Sequence, residues 1–443
     1  MASTYLERSI SSTGDRQIMT FSAWIKRATA GATNCIFSTG TGAARDMILF
    51  ESDGKLQFSK YNGSYSYQLK TNRQFRDLFG WYHIVCVLDT TESSSTDRAK
   101  IYVNGVQETS LATSDYPTQD YNTNYNTSGN TQYLGQDSDG GFDFDGCMSH
   151  VHYIDGTAYP ASTFGSTDAT TGEWKINTNP TVTYGTNGFF LLKNDASVTD
   201  QSGQGNNFTL GAGTLTKTED NPSNVFATLN PLASLPNTGV STFTNGNTTS
   251  QGVDASYVNG GSTLMMSSGK WYAEMKYVAT SSASRCIAGI TQDVSEISRI
   301  NQDAGSYNTF YISSSGNKNI QNSNTSYGAT WTTGDIIGIA LDLDNNRLFF
   351  SKNGSWQDSG DPTSSTGAIT GFDAPASTLN GGYFFFSGSD SNAQNNTVSW
   401  NFGNGYFGTS VIASEGTNAS EIGKFEYDVP AGYTALSTKG LNL

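Results

Sequence analysis

Short apolar runs of period two, each closed by glycine, asparagine or aspartate, recur along the chain. "QIMTFSAWIKR" (17–27) sets Met19, Phe21, Ala23 and Ile25 against Ile18, Thr20, Ser22 and Trp24, and is apolar on both faces near its centre. A strand wet on one side alternates cleanly, so this one belongs inside a sandwich. No window of 15 residues carries the i, i+3, i+4 stripe of an amphipathic helix,. The 48 glycines and abundant Asn, Ser and Thr suit turns and strands, while 24 Phe, 23 Tyr and 7 Trp supply buriable area in few residues,. The fold class is all-β.

At 443 residues the chain exceeds one ordinary core, so length alone suggests two domains, with three as the alternative,. The first half offers strands at "CIFSTG", "DMILFES", "KLQFSKYNG", "SYSYQLK", "GWYHIVCVLD", "FDFDGCMSHVHYIDGTAY" and "GTNGFFLLKN". In "KIYVNGVQ", Asn104-Gly105 marks a type I′ hairpin,. "TKTEDNPSNVFATLNPLASL" (216–235) alternates little and is read as the linker, leaving domains at 1–215 and 236–443. Strands resume at "GKWYAEMKYVA", "RCIAGITQD", "NTFYISS", "GDIIGIALDLD", "RLFFSKNG", "GGYFFFSGS" and "TVSWNFG", with polar loops at 241–263, 312–328 and 387–397.

A net charge of −15, from 39 acidic against 24 basic residues, repels phosphate backbones, so no nucleic-acid partner is expected,. Cys35, Cys86, Cys147 and Cys286 lie far apart without a C-x-x-C pair, and Cys86 sits in an apolar strand, so no disulfide framework is expected,. "MASTYLERSISSTG" lacks the apolar core of a secretory leader, and no run is long enough to span a bilayer,. A composition typical of extracellular surfaces without an export signal points to a virion surface, where a protein assembles in the cytosol and works outside.

Two resemblances follow from the motifs. "TFSAWIKR", "WYHIVCVLD", "KIYVNGVQ" and "YLGQDSDGGFDFDGCMSHVHYIDG" occur in the order of laminin-G-like domains of the concanavalin A-like class, which the first half resembles. "GKWYAEM", "IAGIT", "GDIIGIALDLDNNRLFFSKNGSW" and "VSWNFGNGYFG" make the second half similar to a SPRY domain. The tandem order, with the tail "FEYDVPAGYTALSTKGLNL", resembles virion-surface proteins of tailed phages, particularly marine ones. These resemblances imply two antiparallel jelly-roll β-sandwiches in tandem and binding without catalysis. The expected partners are other virion proteins or host-surface polysaccharide, with a homo-oligomer as one mode of attachment. A purely structural decoration protein and a glycan-processing enzyme are the alternatives.

Several clusters could carry chemistry. Asp342, Asp344, Asn345 and Asn346 lie close together, but an EF-hand needs Gly at its sixth position and Glu at its twelfth, where Arg347 and Asn353 stand,. They read as a hairpin tip. Glu421 and Glu426 have the separation of a retaining glucanase pair, yet Gly423 replaces the intervening Asp,. His150 and His152 share a strand face and could offer two imidazoles to a metal, but satisfied strand histidines are the simpler reading, as for His83,. For calcium, the candidates are Asp137, Asp139, Asp143 and Asp145 in "GQDSDGGFDFDG", with Asp89 at a strand end, against the simpler reading of a solvated acidic turn,. Laminin-G-like domains often bind calcium at a loop rim, although Ser149 stands where many of them have Asp. Tyr116, Tyr121, Tyr125 and Tyr133 interleave with amides and hydroxyls in "SDYPTQDYNTNYNTSGNTQY", a mixture suited to stacking on sugars,. Tyr307, Tyr311, Tyr327, Trp331 and Trp356 are similar candidates in the second half, several of them destined for the core.

Overall fold

A computed structural model of the protein describes residues 4–42, 44–194, 196–233, 240–253, 259–279, 286–293, 307–321, 323–389 and 396–442. The loops expected at 241–263, 312–328 and 387–397 lie partly outside these residues. Among the described residues, regular structure consists of strands and short 3-10 turns. No described helix is long and apolar enough to cross a membrane. The chain divides into two units, Met1–Lys217 and Thr218–Leu443.

In the first unit the strands begin with β1 (Tyr5–Ser9), β2 (Ile18–Arg27), β3 (Asn34–Thr41), β4 (Ala44–Phe50) and β5 (Lys55–Tyr61). There follow β6 (Tyr65–Gln74), β7 (Tyr82–Asp89), β8 (Ala99–Val103), β9 (Val106–Gln107), β10 (Leu111–Asp115) and β11 (Thr131–Leu134). The last are β12 (Gly146–Asp155), β13 (Gly165–Thr167), β14 (Trp174–Ile176), β15 (Phe189–Leu191) and β16 (Thr209–Ala212). One sheet has eight strands in the order β10-β6-β5-β4-β3-β11-β1-β16, and the other has six, β15-β12-β2-β7-β8-β9. Their inner faces share one core, in which Phe21 of β2 stacks on Phe37 of β3 with ring centroids 5.1 Å apart. Asn104 and Gly105, both at positive φ, close the β8–β9 hairpin as their sequence requires,.

The centre of the six-stranded sheet, β2 and β7, is dry on both sides. Met19, Phe21, Ala23 and Ile25 of β2 and Ile84, Cys86 and Leu88 of β7 face the core. Val85, Val87 and Ile154 on the opposite face pack against Ala161 and Phe164 of the excursion 156–186, which also holds the β13–β14 hairpin. The apolar character of 17–27 on both faces therefore has a physical cause.

The second unit repeats the plan. Its eight-stranded sheet centres on Lys270–Ala279, flanked by Thr397–Asn401 and Ile336–Asp342. Its six-stranded sheet centres on Cys286–Thr291, between Phe384–Ser389 and Asn308–Ile312. Trp400 stacks on Phe402 at 5.0 Å within the core. Asp342–Asn346 is a hairpin tip: the Asp342 carboxylate accepts the Asn345 backbone N–H (3.0 Å) and side-chain amide (2.8 Å), and Asn346 takes positive φ.

The stretch 216–235 behaves differently from a linker. Phe226, Ala227 and Leu229 are buried in the second unit, and the Ala227 N–H donates to the Leu436 carbonyl. The C-terminal tail also packs inward, with Phe425, Val429 and Tyr433 against Tyr272, Ala340 and Phe349. Glu274, fully buried, anchors that tail. Its Oε1 accepts Tyr427 N–H (2.8 Å) and the Tyr272 hydroxyl (3.2 Å), and its Oε2 accepts Glu426 N–H (2.9 Å) and the Asn401 amide (3.2 Å). Burial nevertheless pushes the carboxyl up to about 7.

A glutamine at 274 must turn its NH₂ toward one of two backbone N–H donors. Glu274→Gln is expected to cost about 1–3 kcal/mol of the second unit's stability, measured by denaturant unfolding at about pH 5. Because the folded pKa is raised, the carboxyl's contribution is complete below its ordinary value of 4.5 and is lost as pH rises through about 7,. Wild type should weaken between about pH 5 and pH 8, and the glutamine variant should lack that decline.

Candidate functional site

The residues proposed from sequence as glycan contacts divide by burial. Tyr125 is fully buried, its ring parallel to Phe37 at 5.9 Å, because the loop before β11 folds into the sandwich. The loop is held there by buried Asp46, whose Oδ2 accepts the Asn124 N–H at 2.7 Å and whose Oδ1 accepts the Tyr67 hydroxyl at 3.0 Å. Tyr116 and Tyr121 are half-buried against the same core. Tyr133 lies on β11 with its ring 6.2 Å from Tyr5. In the second unit Trp331 is core, 5.8 Å from Tyr277 and 5.9 Å from Tyr311, and Tyr311 and Tyr327 are buried with it. Tyr307 is half-buried beside Asn308–Ile312. Tyr125 and Trp331 are thus corrected from contacts to packing.

The carboxylates proposed for calcium do not form one site. Asp89 pairs with Ile18 and Gly146 with Arg27, at opposite ends of β2. Nine residues of strand put roughly 30 Å between them. Arg45 of β4 engages the loop acids instead, 3.2 Å from Asp137 and 2.9 Å from Asp139. Asp143 accepts the Gln136 amide at 2.8 Å, and burial raises the pKa of Asp145. Among the described residues no group of three or more His, Cys, Asp or Glu could hold a metal ion. The donor set does not fit calcium, because a guanidinium already neutralises its best pair.

The glucanase-like pair is also absent as a unit. Glu421 sits at positive φ outside any strand, and the Glu426 carboxylate accepts the Ala413 N–H at 2.6 Å. A bulge with His150 at positive φ breaks the alternation of β12. His152 is buried, stacked on Phe190 at 3.9 Å and bonded through Nδ1 to the Tyr184 hydroxyl at 2.8 Å. Burial lowers His83 to about 3 and His150 to about 4, and lowers His152 as well.

A different surface gathers exposed aromatics with fixed polar groups. On β4 and β5, Ile48, Phe50, Leu56 and Phe58 face the core, so Arg45, Met47, Gln57, Ser59 and Tyr61 face outward,. Tyr65 of β6 meets Tyr61 edge to face at 5.2 Å and is 44% exposed. Beneath them, the buried Gln57 amide donates to Ser59 Oγ at 2.9 Å, and its carbonyl oxygen accepts from the Gln68 amide at 2.6 Å. Arg45 lies 5.5 Å over the Tyr61 ring, and Phe142, at positive φ and 43% exposed, flanks it. Two tyrosines and the half-buried Gln68 amide, oriented by the buried Gln57 and Ser59 beneath, offer stacking and hydrogen bonding from one rigid sheet face,. The alternation in "KLQFSKYNGSYSYQLK" carried the signal, since Gln57, Ser59 and Tyr61 share one side.

Residues 2–162 match the family model of the concanavalin A-like lectin/glucanases superfamily, and residues 270–371 match the SPRY domain. The chain carries a concanavalin A-like domain followed by a SPRY domain. No curated protein matches it. Among solved structures, the SPRY domain of human HERC1 is 16% identical, covering 39% of this chain and 96% of that one, with a TM-score of 0.29. The heptameric SAP-like pentraxin of Limulus polyphemus is 19% identical, covering 39% of this chain and 85% of that one, with a TM-score of 0.29. Domain 4 of AbnA, an extracellular arabinanase of Geobacillus stearothermophilus solved with arabinotriose, is 15% identical, covering 33% and 65%, with a TM-score of 0.27. In the concanavalin A-like domain, the β4–β6 face is the candidate surface.

If the loop acids are committed to Arg45, calcium should not stabilise the concanavalin A-like domain. A bound ion at about a hundred times its Kd adds about 2.7 kcal/mol. The expected result is a melting temperature unchanged by millimolar calcium or by chelator. A rise of several degrees with calcium would contradict the assignment.

Proposed function

We propose that the protein is a non-catalytic binding protein of a virion surface that holds host polysaccharide on the β4–β6 face of its concanavalin A-like domain. The observation that carries this reading is the pairing of half-exposed Tyr65 with Tyr61 above the Gln57–Gln68–Ser59 hydrogen-bond array. A tyrosine face packs on sugar C–H surfaces, while the half-buried Gln68 amide, held in place by buried Gln57, loses little entropy on bonding a sugar hydroxyl,. Catalysis is not part of the proposal, since the Glu426 carboxylate is bonded to the Ala413 N–H and has no paired acid on a shared strand. The acidic net charge of −15 favours neutral over anionic glycans,.

The test is binding of the purified full chain to a polysaccharide panel and to intact bacterial cells. Saturable, sugar-competed binding is expected. Tyr65→Ala should weaken it about tenfold, or about 1.4 kcal/mol, with Tyr116→Ala close to wild type and chelator without effect. Saturable binding that Tyr65→Ala leaves intact would move the site elsewhere. Absence of binding across the panel would favour a decoration role with other virion proteins as partners.

A further inference from the structure

All three histidines lie on β7 and β12 of the concanavalin A-like domain, and two of them, His83 and His152, join the sheet to its cover. The excursion 156–186 is tied to the sheet at both ends. The Thr20 hydroxyl bonds the Thr157 carbonyl (2.9 Å) and accepts Tyr159 N–H (2.9 Å), and Asp155 N–H donates to the Tyr184 carbonyl (2.9 Å). Its middle is seated by Trp174 of β14. That ring lies so close to Gly105 and Gly165 that a methyl on either would come within 2.3 or 2.6 Å of it. The indole N–H donates to His83 Nδ1 at 3.0 Å, and His83 Nε2 lies 2.9 Å from Ser22 Oγ.

Indole N–H can only donate, so His83 Nδ1 must be unprotonated here and Nε2 carries the hydrogen. A second proton would set two N–H groups against each other and leave a charge buried between Trp24 and Trp174, stacked on His83 at 4.9 and 6.0 Å,. Attraction of a cation to the two rings offsets part of this cost but does not restore the lost bond. His152 differs, because its partner, the Tyr184 hydroxyl, can turn from donor to acceptor,.

We infer that the excursion 156–186 is an acid-released cover, unseated from the six-stranded sheet when His83 takes a second proton. Release bares Val85, Val87 and Ile154, the apolar outer face now packed beneath it. The neighbouring charges are largely engaged elsewhere. Lys175 pairs with Asp168 on the hairpin (2.7 Å), Lys100 of β8 with Asp97 (2.9 Å), and Lys26 of β2 lies 5.2 Å over the Phe79 ring. Glu173 adjoins Trp174 in sequence, Tyr102 faces the same cluster from β8, and His150 and His152 stand on β12. Lys193, after β15, lies over Phe190 and bonds Asn179 of the excursion at 3.3 Å. Burial sets the titration of His83, holding it at about 3 against an ordinary 6.5. A depressed folded pKa means that the closed state is at full advantage above the ordinary value and loses it as pH falls toward the folded one.

One such proton should raise the opening constant roughly a hundredfold between about pH 7.5 and pH 4.5. Hydrogen exchange of the full chain, corrected for intrinsic rates, reads this directly. The expected result is loss of protection in 156–186 at low pH, with β3 and β4 still protected. His83→Gln keeps an acceptor for Trp174 and a donor for Ser22 without titrating, so its cover should lose less protection in acid than that of wild type, the remaining response belonging to His152 against Tyr184 and Phe164. The inference fails if wild-type protection of the cover does not change, if β3 and β4 open together with it, or if His83→Gln responds as wild type does. Should that variant not fold, ring-nitrogen NMR of wild type decides. Loss of the Trp174 indole N–H in step with His83 protonation supports the cover, and ordinary titration of His83 near 6.5 with that N–H retained overturns it.

Discussion

In the concanavalin A-like domain the strands at 18–27 and 82–89 are dry on both sides, so every polar group they carry needs a partner inside the protein,. Backbone groups find theirs in the ladders β12-β2-β7-β8. Side chains on the outer face cannot do so alone. Thr20 depends on Thr157 and Tyr159, and His83 on Ser22 and Trp174. The excursion 156–186 is therefore part of the sheet's hydrogen-bond inventory as well as its hydrophobic cover. Removing it would expose apolar surface and exchange the bonds of Thr20 and His83 to the excursion for bonds to water,.

Alternation made most strands legible, because period two survives wherever one face is core. Each of the first-half strand motifs falls on one of β2 to β9, β12 or β15. The short strands β1, β10, β11 and β16 were not readable, since their sequences, such as "YLERS" and "LATSD", carry few apolar residues and their pairing is set by distant partners. The stretch 216–235 was misread for a related reason. Phe226 and Leu229 stand in no periodic pattern, yet Phe226 bridges to Ser437, more than two hundred residues away, and is buried by that contact.

Site residues were less legible than strands. A Tyr- and Asn-rich loop has the same composition whether its rings point outward or inward, and Tyr125 points inward because Asp46, far away in sequence, captures the backbone at Asn124. The outward tyrosines, Tyr61 and Tyr65, belong to a hairpin whose alternation was visible, but which of its faces is wet depends on the opposing sheet. The acidic loop shows the same limit for charge. Four aspartates close in sequence look like an oxygen cage until Arg45 is brought to them by β4. Local spacing describes ligands, whereas only tertiary structure supplies the competing cation.

Proton linkage ties these observations together, and its signs oppose one another. The depressed histidines favour the folded concanavalin A-like domain more strongly as pH rises toward 6.5,. Asp46, Asp137, Asp145 and Asp155 of the same domain are raised by burial, so each loses its contribution as pH rises,. Both sets titrate across the acidic range, and their slopes partly cancel in any global unfolding curve. A flat stability profile is then compatible with strong local dependence. The groups can be separated by position, however. Asp46 lies on the core side of β4 and holds the loop before β11, while His83 lies on the outer side of β7 and holds the cover. A local probe of each segment separates the acid response of the cover from the opposite response of the loop that Asp46 holds.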